Sequence, residues 1–248
     1  MTRVLIHGAG RMARRVLAQL QDFEGYELLG LVSRTRPSDD IGSDWFGSLD
    51  ELNVPADLLI DFTLPGGTGL AAQWCSDSNV ALLSGTTGLT ADDISALRNA
   101  ALKVPVLWAP NMSHGVALMT ALVKLTAGTL AMDANVSISD VHHQHKKDAP
   151  SGTALALAAA VMEARSERSA GHPADNGNEP VLSSTREGEV VGEHTVSFEL
   201  PDEVIEITHR ALDRDVFANG ALKAGEWLVR QAPGYYSTVD WLDAKGIS

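Results

Sequence analysis

Short apolar runs alternate with helix-length segments along the first half of the chain. Residues 4–6, 26–32, 58–62, 80–83 and 106–108 are rich in aliphatic and β-branched side chains and predict strands. Between them, residues 12–21, 68–76 and 91–102 carry helical spacing, and Thr90 with Asp93 forms a capping-box-like start to the last of these. Strand, helix and strand in this rhythm predict an α/β fold with a doubly wound parallel sheet of Rossmann type.

The pattern changes after about residue 112. A long apolar helix is expected over 114–131, a strand over 136–141, an Ala- and Leu-rich helix over 153–167, and a polar loop over 169–179. Two strands of period-2 alternation follow: 195–200 places Val196, Phe198 and Leu200 on one face, 204–208 places Ile205 and Ile207 on one face, and Pro201-Asp202 supplies the turn. The second half therefore predicts an α+β domain with an open mixed or antiparallel sheet. Pattern alone does not assign the tail, with its expected helix over 221–228, to either half.

Composition fits this two-part plan. A chain of 248 residues with 44% hydrophobic and 21% charged residues can bury one large core or two modest ones. A net charge of −13 argues against a nucleic-acid or anionic-membrane partner, which needs a surplus of Lys and Arg. Cys75 is the single cysteine, no apolar run approaches the roughly 20 residues that span a bilayer, and Met1-Thr2-Arg3 leads straight into Val4-Leu5-Ile6. The expectation is a soluble protein of a reducing cytoplasm.

Against that acidic background the run from His142 to Thr153 stands out. It holds His142, His143, His145, Lys146 and Lys147, then Pro150-Ser151-Gly152-Thr153, between a predicted strand and a predicted helix. Ser151 or Thr153 can cap that helix, and the Gly152 and Thr153 amides can face a carboxylate at its positive end. Lys146 adds a full charge. A metal reading of the imidazoles competes with this, as does a purely structural one; no Cys lies nearby, and Lys146 and Lys147 would repel a cation. The expected ligand is an anion, with no metal.

At the other end, Gly8-Ala9-Gly10-Arg11-Met12-Ala13 is a GxGxxA sequence that follows a strand and opens a helix. Gly8 permits the tight turn, Gly10 lets backbone approach a pyrophosphate, and Ala13 is small enough for helix-on-sheet packing. The second strand runs into Ser33-Arg34-Thr35-Arg36 instead of the Asp or Glu that binds ribose hydroxyls. Guanidinium groups there suit a 2′-phosphate, so NADPH is expected to be favoured over NADH, with Arg34 as the main contact. Gly85-Thr86-Thr87-Gly88 and Ala109-Pro110-Asn111-Met112 follow two further strands, where Gly85, Thr86, Thr87, Ala109, Pro110, Asn111 and Met112 are candidates to line the nicotinamide side, beside Gly8, Gly10, Arg11 and Met12.

The run Asp140-Val141-His142-His143-Gln144-His145-Lys146-Lys147-Asp148-Ala149-Pro150-Ser151-Gly152-Thr153-Ala154 closely resembles the central E-x-H-H-x-x-K-x-D-A-P-S-G-T-A motif of the dihydrodipicolinate reductase family. The resemblance extends to Gly10-Arg11-Met12, Ile60-Asp61-Phe62-Thr63, Gly85-Thr86-Thr87-Gly88, Pro110-Asn111-Met112-Ser113, Arg186-Glu187-Gly188, Val191-Gly192-Glu193-His194, Glu206-Ile207-Thr208-His209 and Phe217-Ala218-Asn219-Gly220-Ala221. It implies NAD(P)H-dependent reduction of 4-hydroxy-tetrahydrodipicolinate in lysine and diaminopimelate synthesis. Hydride goes to C4 of a cyclic, doubly carboxylated, imine-type substrate after water is lost, and the neighbouring ring carbon is protonated. By motif position His142 is the expected proton donor with Lys146 as its catalytic partner, while His143, Lys146, Gly152 and Thr153, with Ser151 in the same turn, contact the substrate carboxylates. The resemblance also implies a homotetramer built through the second domain's sheet, and a tail that returns to the first domain, giving a dinucleotide-binding domain of 1–112 with 216–248 and a substrate-binding and oligomerisation domain of 113–215. Three departures from the usual pattern stand out: the glycine loop is one residue shorter and ends in Ala13, Asp140 replaces Glu, and Ser33 takes the place of the ribose-binding acid. Another small dicarboxylate as substrate, and a dinucleotide-binding sensor without catalysis, are the competing readings; a sensor has no need of a His and a Lys beside an anion-binding turn.

Overall fold

The computed structural model describes residues 1–38, 42–53, 55–130, 134–168 and 178–243. The chain divides into two compact units, Met1–Ser113 with Asp215–Ser248, and His114–Arg214. The loop expected over 169–179 lies, except for its last two residues, outside the described residues, as does the final residue of the helix expected over 114–131.

In the first unit, β1 (Thr2–His7), β2 (Tyr26–Val32), β3 (Trp45–Phe46), β4 (Leu58–Asp61), β5 (Ala81–Ser84), β6 (Pro105–Trp108) and β11 (Gly234–Tyr236) form one seven-stranded sheet. The order is β11-β6-β5-β4-β1-β2-β3, and every pairing is parallel. The strand order reverses between β1 and β4, and in such sheets ligands bind beyond the carboxyl ends at this switch point. Alternating strand residues bury both faces. Val4, Ile6, Leu58 and Ile60 pack with α1 (Arg11–Leu20) and α6 (Asp215–Leu228), whereas Leu5, Leu59, Leu82 and Val106 pack with α2 (Gly67–Ser78) and α3 (Ala91–Ala100). The Thr90–Asp93 capping box forms as its spacing predicts.

The tail belongs to this unit. Gly220 of α6 lies so close to β6's following loop that a Cβ there would stand 1.8 Å from the Met112 carbonyl oxygen. Trp241 of α7 (Thr238–Asp243) is fully buried in the same core.

The second unit has α4 (His114–Thr129), β7 (Asn135–His142), α5 (Gly152–Arg168), β8 (Val181–Arg186), β9 (Gly192–Glu199) and β10 (Val204–Ala211). Its sheet runs β10-β9-β7-β8, with β7 antiparallel to β9, β9 antiparallel to β10, and β7 parallel to β8. The sheet is therefore mixed, and β8 is a strand that the pattern did not reveal, because Ser183, Ser184, Thr185 and Arg186 break the apolar run. Val136 and Ile138 of β7 and Val196 and Phe198 of β9 bury one face against Met119 and Val123 of α4 and Leu157 and Val161 of α5. The Leu200 amide donates to the Glu203 carbonyl at 2.9 Å and closes the hairpin at Pro201-Asp202.

Candidate active site

The candidate residues fall into two groups, one in each unit. In the first, Gly8 follows β1 with φ +108°, and a Cβ there would lie 2.6 Å from the Phe62 carbonyl oxygen, so only glycine fits the turn. A Cβ at Gly10, by contrast, would meet no atom within 4 Å: the space above it is open. Gly10 is the N-cap of α1, with no side-chain cap and no acid in the first turn. An uncapped helix start facing open space is a fit for a dinucleotide's pyrophosphate. Arg11 is exposed there and Met12 half-buried.

Beyond β2, the Trp45 indole N–H donates to the Ser33 carbonyl at 3.1 Å and lies 3.2 Å from the Ser33 hydroxyl, fixing the loop that carries Arg34. Arg36 stacks over Trp45 at 5.8 Å, while Arg34 is exposed. The loop after β5 is tied from two sides. The Trp108 indole donates to the Thr86 carbonyl at 2.9 Å, and the Thr86 hydroxyl donates to Asp61 at 3.0 Å. Thr86 is thus 3% exposed with its hydroxyl committed inside the protein, whereas Thr87 is exposed. In the loop after β6, Ala109 and Met112 are buried, Pro110 is exposed, and the Asn111 side-chain oxygen accepts from the Ser113 amide at 2.9 Å.

Asp61, at the end of β4, organises this crevice. It is fully buried and accepts from the hydroxyls of Thr63 and Thr68 at 2.7 Å and Ser84 at 2.8 Å, with His7 Nδ1 at 3.2 Å. Burial pushes its pKa up, but His7 and these hydroxyls outweigh that and leave it below the usual carboxylate value. The pattern assigned Asp61 no role; its signal was an acid within a strand buried on both faces.

In the second unit, Asp140 holds the corresponding place. It is 1% exposed on β7, one pleat from His142 on the inner face. Its Oδ1 lies 2.9 Å from His142 Nδ1 and 3.3 Å from His194 Nε2. Its Oδ2 accepts from the Ser151 amide at 3.0 Å and from the Ser184 hydroxyl and both terminal nitrogens of Arg186 at 3.3 Å. Burial works against the ionised carboxyl, yet the Ser151 hydroxyl and amide and the two imidazoles hold its pKa below the usual value. Burial also lowers the pKa of His142; Asp140 opposes this, and Lys146 and Arg186 add to it. His194 is pushed down to about 4, by burial and then by His142.

Strand β7 ends at His142, and the Lys146 amide closes a turn onto the His143 carbonyl at 3.1 Å, so neither a continuing strand nor a helix spaces the imidazoles. His143 Nδ1 accepts from the His145 amide at 3.2 Å. Lys146 pairs with Asp148 at 2.9 Å. The Ser151 hydroxyl accepts from the Ala154 amide at 3.2 Å and so caps α5, with Gly152 and Thr153 as the first two helical residues. Ser151 is 2% exposed; its amide donates to Asp140, and its hydroxyl serves the cap and lies 3.3 Å from His194 Nε2. His194, Arg186 and Gly192, which sequence reasoning left without a role, complete the cluster. The available signal was a histidine on the same strand face as Val196 and Phe198.

Ligand atoms of Asp140, His142 and His194 lie within 4.8 Å of one another, close enough to hold a cation. Arg186 already brings positive charge to the same carboxylate at 3.3 Å, which favours a charge-paired hydrogen-bond cluster.

Comparison with known proteins matches these units to one family. Residues 2–112 match the profile described as "Dihydrodipicolinate reductase, N-terminus", and residues 115–242 match "Dihydrodipicolinate reductase, C-terminus". The 4-hydroxy-tetrahydrodipicolinate reductase of Alkalilimnicola ehrlichii is 39% identical over 97% of this chain and 98% of its own. That of Xanthomonas euvesicatoria is 40% identical over 96% of each chain. The dipicolinate-bound dihydrodipicolinate reductase of Paenisporosarcina sp. TG-14 shares the fold with a TM-score of 0.80 at 23% identity, covering 96% of this chain and 97% of its own. With both halves matched and near-full-length relatives at this identity, the chain belongs to the dihydrodipicolinate reductase family.

Proposed function

We propose that the chain reduces 4-hydroxy-tetrahydrodipicolinate to tetrahydrodipicolinate with a nicotinamide cofactor and loss of water, in lysine and diaminopimelate synthesis. The observation that carries the assignment of roles is the cluster in which Asp140 joins His142 to the Ser151 cap of α5. A proton-transfer group and a helix start suited to carboxylate are thereby held on one carboxyl.

When bound, the nicotinamide supplies a hydride for C4. Gly8 and Gly10 with the start of α1 would hold the pyrophosphate beside Arg11 and Met12, and the loops Gly85–Thr86–Thr87 and Ala109–Pro110–Asn111–Met112 would line the nicotinamide side. Arg34 would take a 2′-phosphate, favouring NADPH over NADH. In the second unit the Gly152 and Thr153 amides receive a substrate carboxylate, aided by His143 and Lys146. Lys146 leaves Asp148 to do so, exchanging one carboxylate for another. His142 then gives a proton to the ring carbon beside C4, balancing the hydride. Its lowered pKa leaves the imidazole mostly neutral at pH 7 in the free protein. A dianionic substrate set against Lys146 restores negative charge around the ring and favours the imidazolium.

The same reading makes the protein a cytoplasmic homotetramer assembled through the outer face of the β10-β9-β7-β8 sheet. Among the described residues no helix is long and apolar enough to cross a membrane. Purified protein given NADPH and freshly generated 4-hydroxy-tetrahydrodipicolinate should oxidise the cofactor with stoichiometric tetrahydrodipicolinate formation. Cofactor binding without oxidation in that mixture sinks the assignment. Light scattering of the same preparation checks the tetramer.

A further inference from the structure

We propose that Asp140 is the positioning residue that sets the tautomer of His142, with His194 as a neutral imidazole packed beside the pair. This rests on the reading of His142 as proton donor and names the groups that aim it.

The sheet register makes the arrangement. Asp140 of β7 stands between Ser184 of β8 and His194 of β9, and His194 stands beside His209 of β10, a row crossing all four strands. In the next row His142 faces Arg186, and Gly192 faces Ala211. Every second residue of a strand points to the same face, so Asp140 and His142 project together into the inner layer. Oδ2 is held by Ser151, Ser184 and Arg186, which fixes the plane of the carboxylate and leaves Oδ1 for the imidazoles.

An ionised carboxylate only accepts hydrogen bonds. Nδ1 of His142 stands 2.9 Å from Oδ1, where a bare lone pair would be repelled by the ionised oxygen, so Nδ1 carries the proton; Nε2 of His194 stands 3.3 Å from both Oδ1 and the Ser151 hydroxyl. His142 keeps Nε2 for exchange with substrate. Its ring meets that of His194 edge to face, with centroids 5.1 Å apart and planes at 70°. His194 stays neutral at working pH and adds no charge against an imidazolium at His142.

Imidazole 15N NMR of the full-length protein tests this directly. The neutral form of His142 should be the Nδ1–H tautomer; finding Nε2–H in the unmodified protein overturns the proposal without any variant. Asp140→Asn should convert His142 to Nε2–H and lower kcat by about 10² to 10⁴, as loss of an orienting carboxylate does elsewhere, with KM changed only a few-fold. Asp140→Glu should keep Nδ1–H and recover most of the rate. An Asp140→Asn enzyme with the original tautomer overturns the proposal, as does loss of wild-type activity on chelation, which would make Asp140 a metal ligand. A fully active His142→Gln enzyme removes the proton-donor role while leaving the tautomer measurement to judge Asp140.

Discussion

Gly192 leaves His142 its place: a Cβ at position 192 would stand 3.0 Å from His142 Nε2, closer than nine in ten such contacts. The two residues meet because β9 begins where β7 ends. A methyl group there must displace the imidazole by a few tenths of an ångström. Gly192→Ala should lower kcat at least about 10-fold, since small misplacement of a reacting group is costly, while the melting temperature and the Kd for NADPH stay near wild type. Steady-state kinetics with a thermal melt check this, and an unchanged kcat would show that the ring has room.

His142→Gln should lower kcat by roughly 10² to 10⁴ with a modest KM change, because glutamine keeps hydrogen bonding but cannot donate a proton at this cost. The pH profile adds a second reading. The pKa of His142 is lowered in the free protein, so the active imidazolium is lost as pH rises through a value below 6.5. The alkaline limb of kcat/KM, which reports the free enzyme, should therefore lie below 6.5. The limb of kcat, which reports the complex, should lie at higher pH, because the bound dianion favours the charged ring. Coincident limbs would separate His142 from the substrate's charge.

Arg34→Ala should raise KM for NADPH and leave NADH nearly unaffected, bringing the two kcat/KM values together. The exposed guanidinium sits on a loop that Trp45 holds, so its loss should not disturb the fold. Equal losses with both cofactors would assign the 2′-phosphate to other groups.

Stability should rise with pH across the acid range. His194 has a folded pKa of about 4 against an ordinary 6.5, so the unfolded chain binds more protons between these values. The stabilisation is complete above the upper value and is lost as pH falls toward the lower, by up to about 3 kcal/mol. His142 and His209, also lowered by burial, act in the same direction. Urea unfolding at several pH values should show this slope, and His194→Gln should flatten it.

Elements that rest on neighbouring residues were legible in the sequence. Residues 26–32 form β2 with the expected limits, Thr90 and Asp93 cap α3, and Gly8 and Gly10 sit at the β1–α1 turn, because alternation, capping and turn strain act over a few positions. The short edge strands β3 and β11 and the polar β8 were not legible, since pairing with a distant partner, and not their own composition, makes them strands.

The sequence by itself thus determined the doubly wound first unit, the one-sided second sheet and the Ser151-capped start of α5. Only the tertiary structure decided what surrounds His142. Asp140 meets Arg186 and His194 across 46 and 54 positions of chain, through a parallel and an antiparallel pairing that set register. Local pattern carries no information about such register; burial of the shared face does, because a one-residue slip would turn Asp140 and His142 out of the cluster and Val136 and Ile138 out of the core.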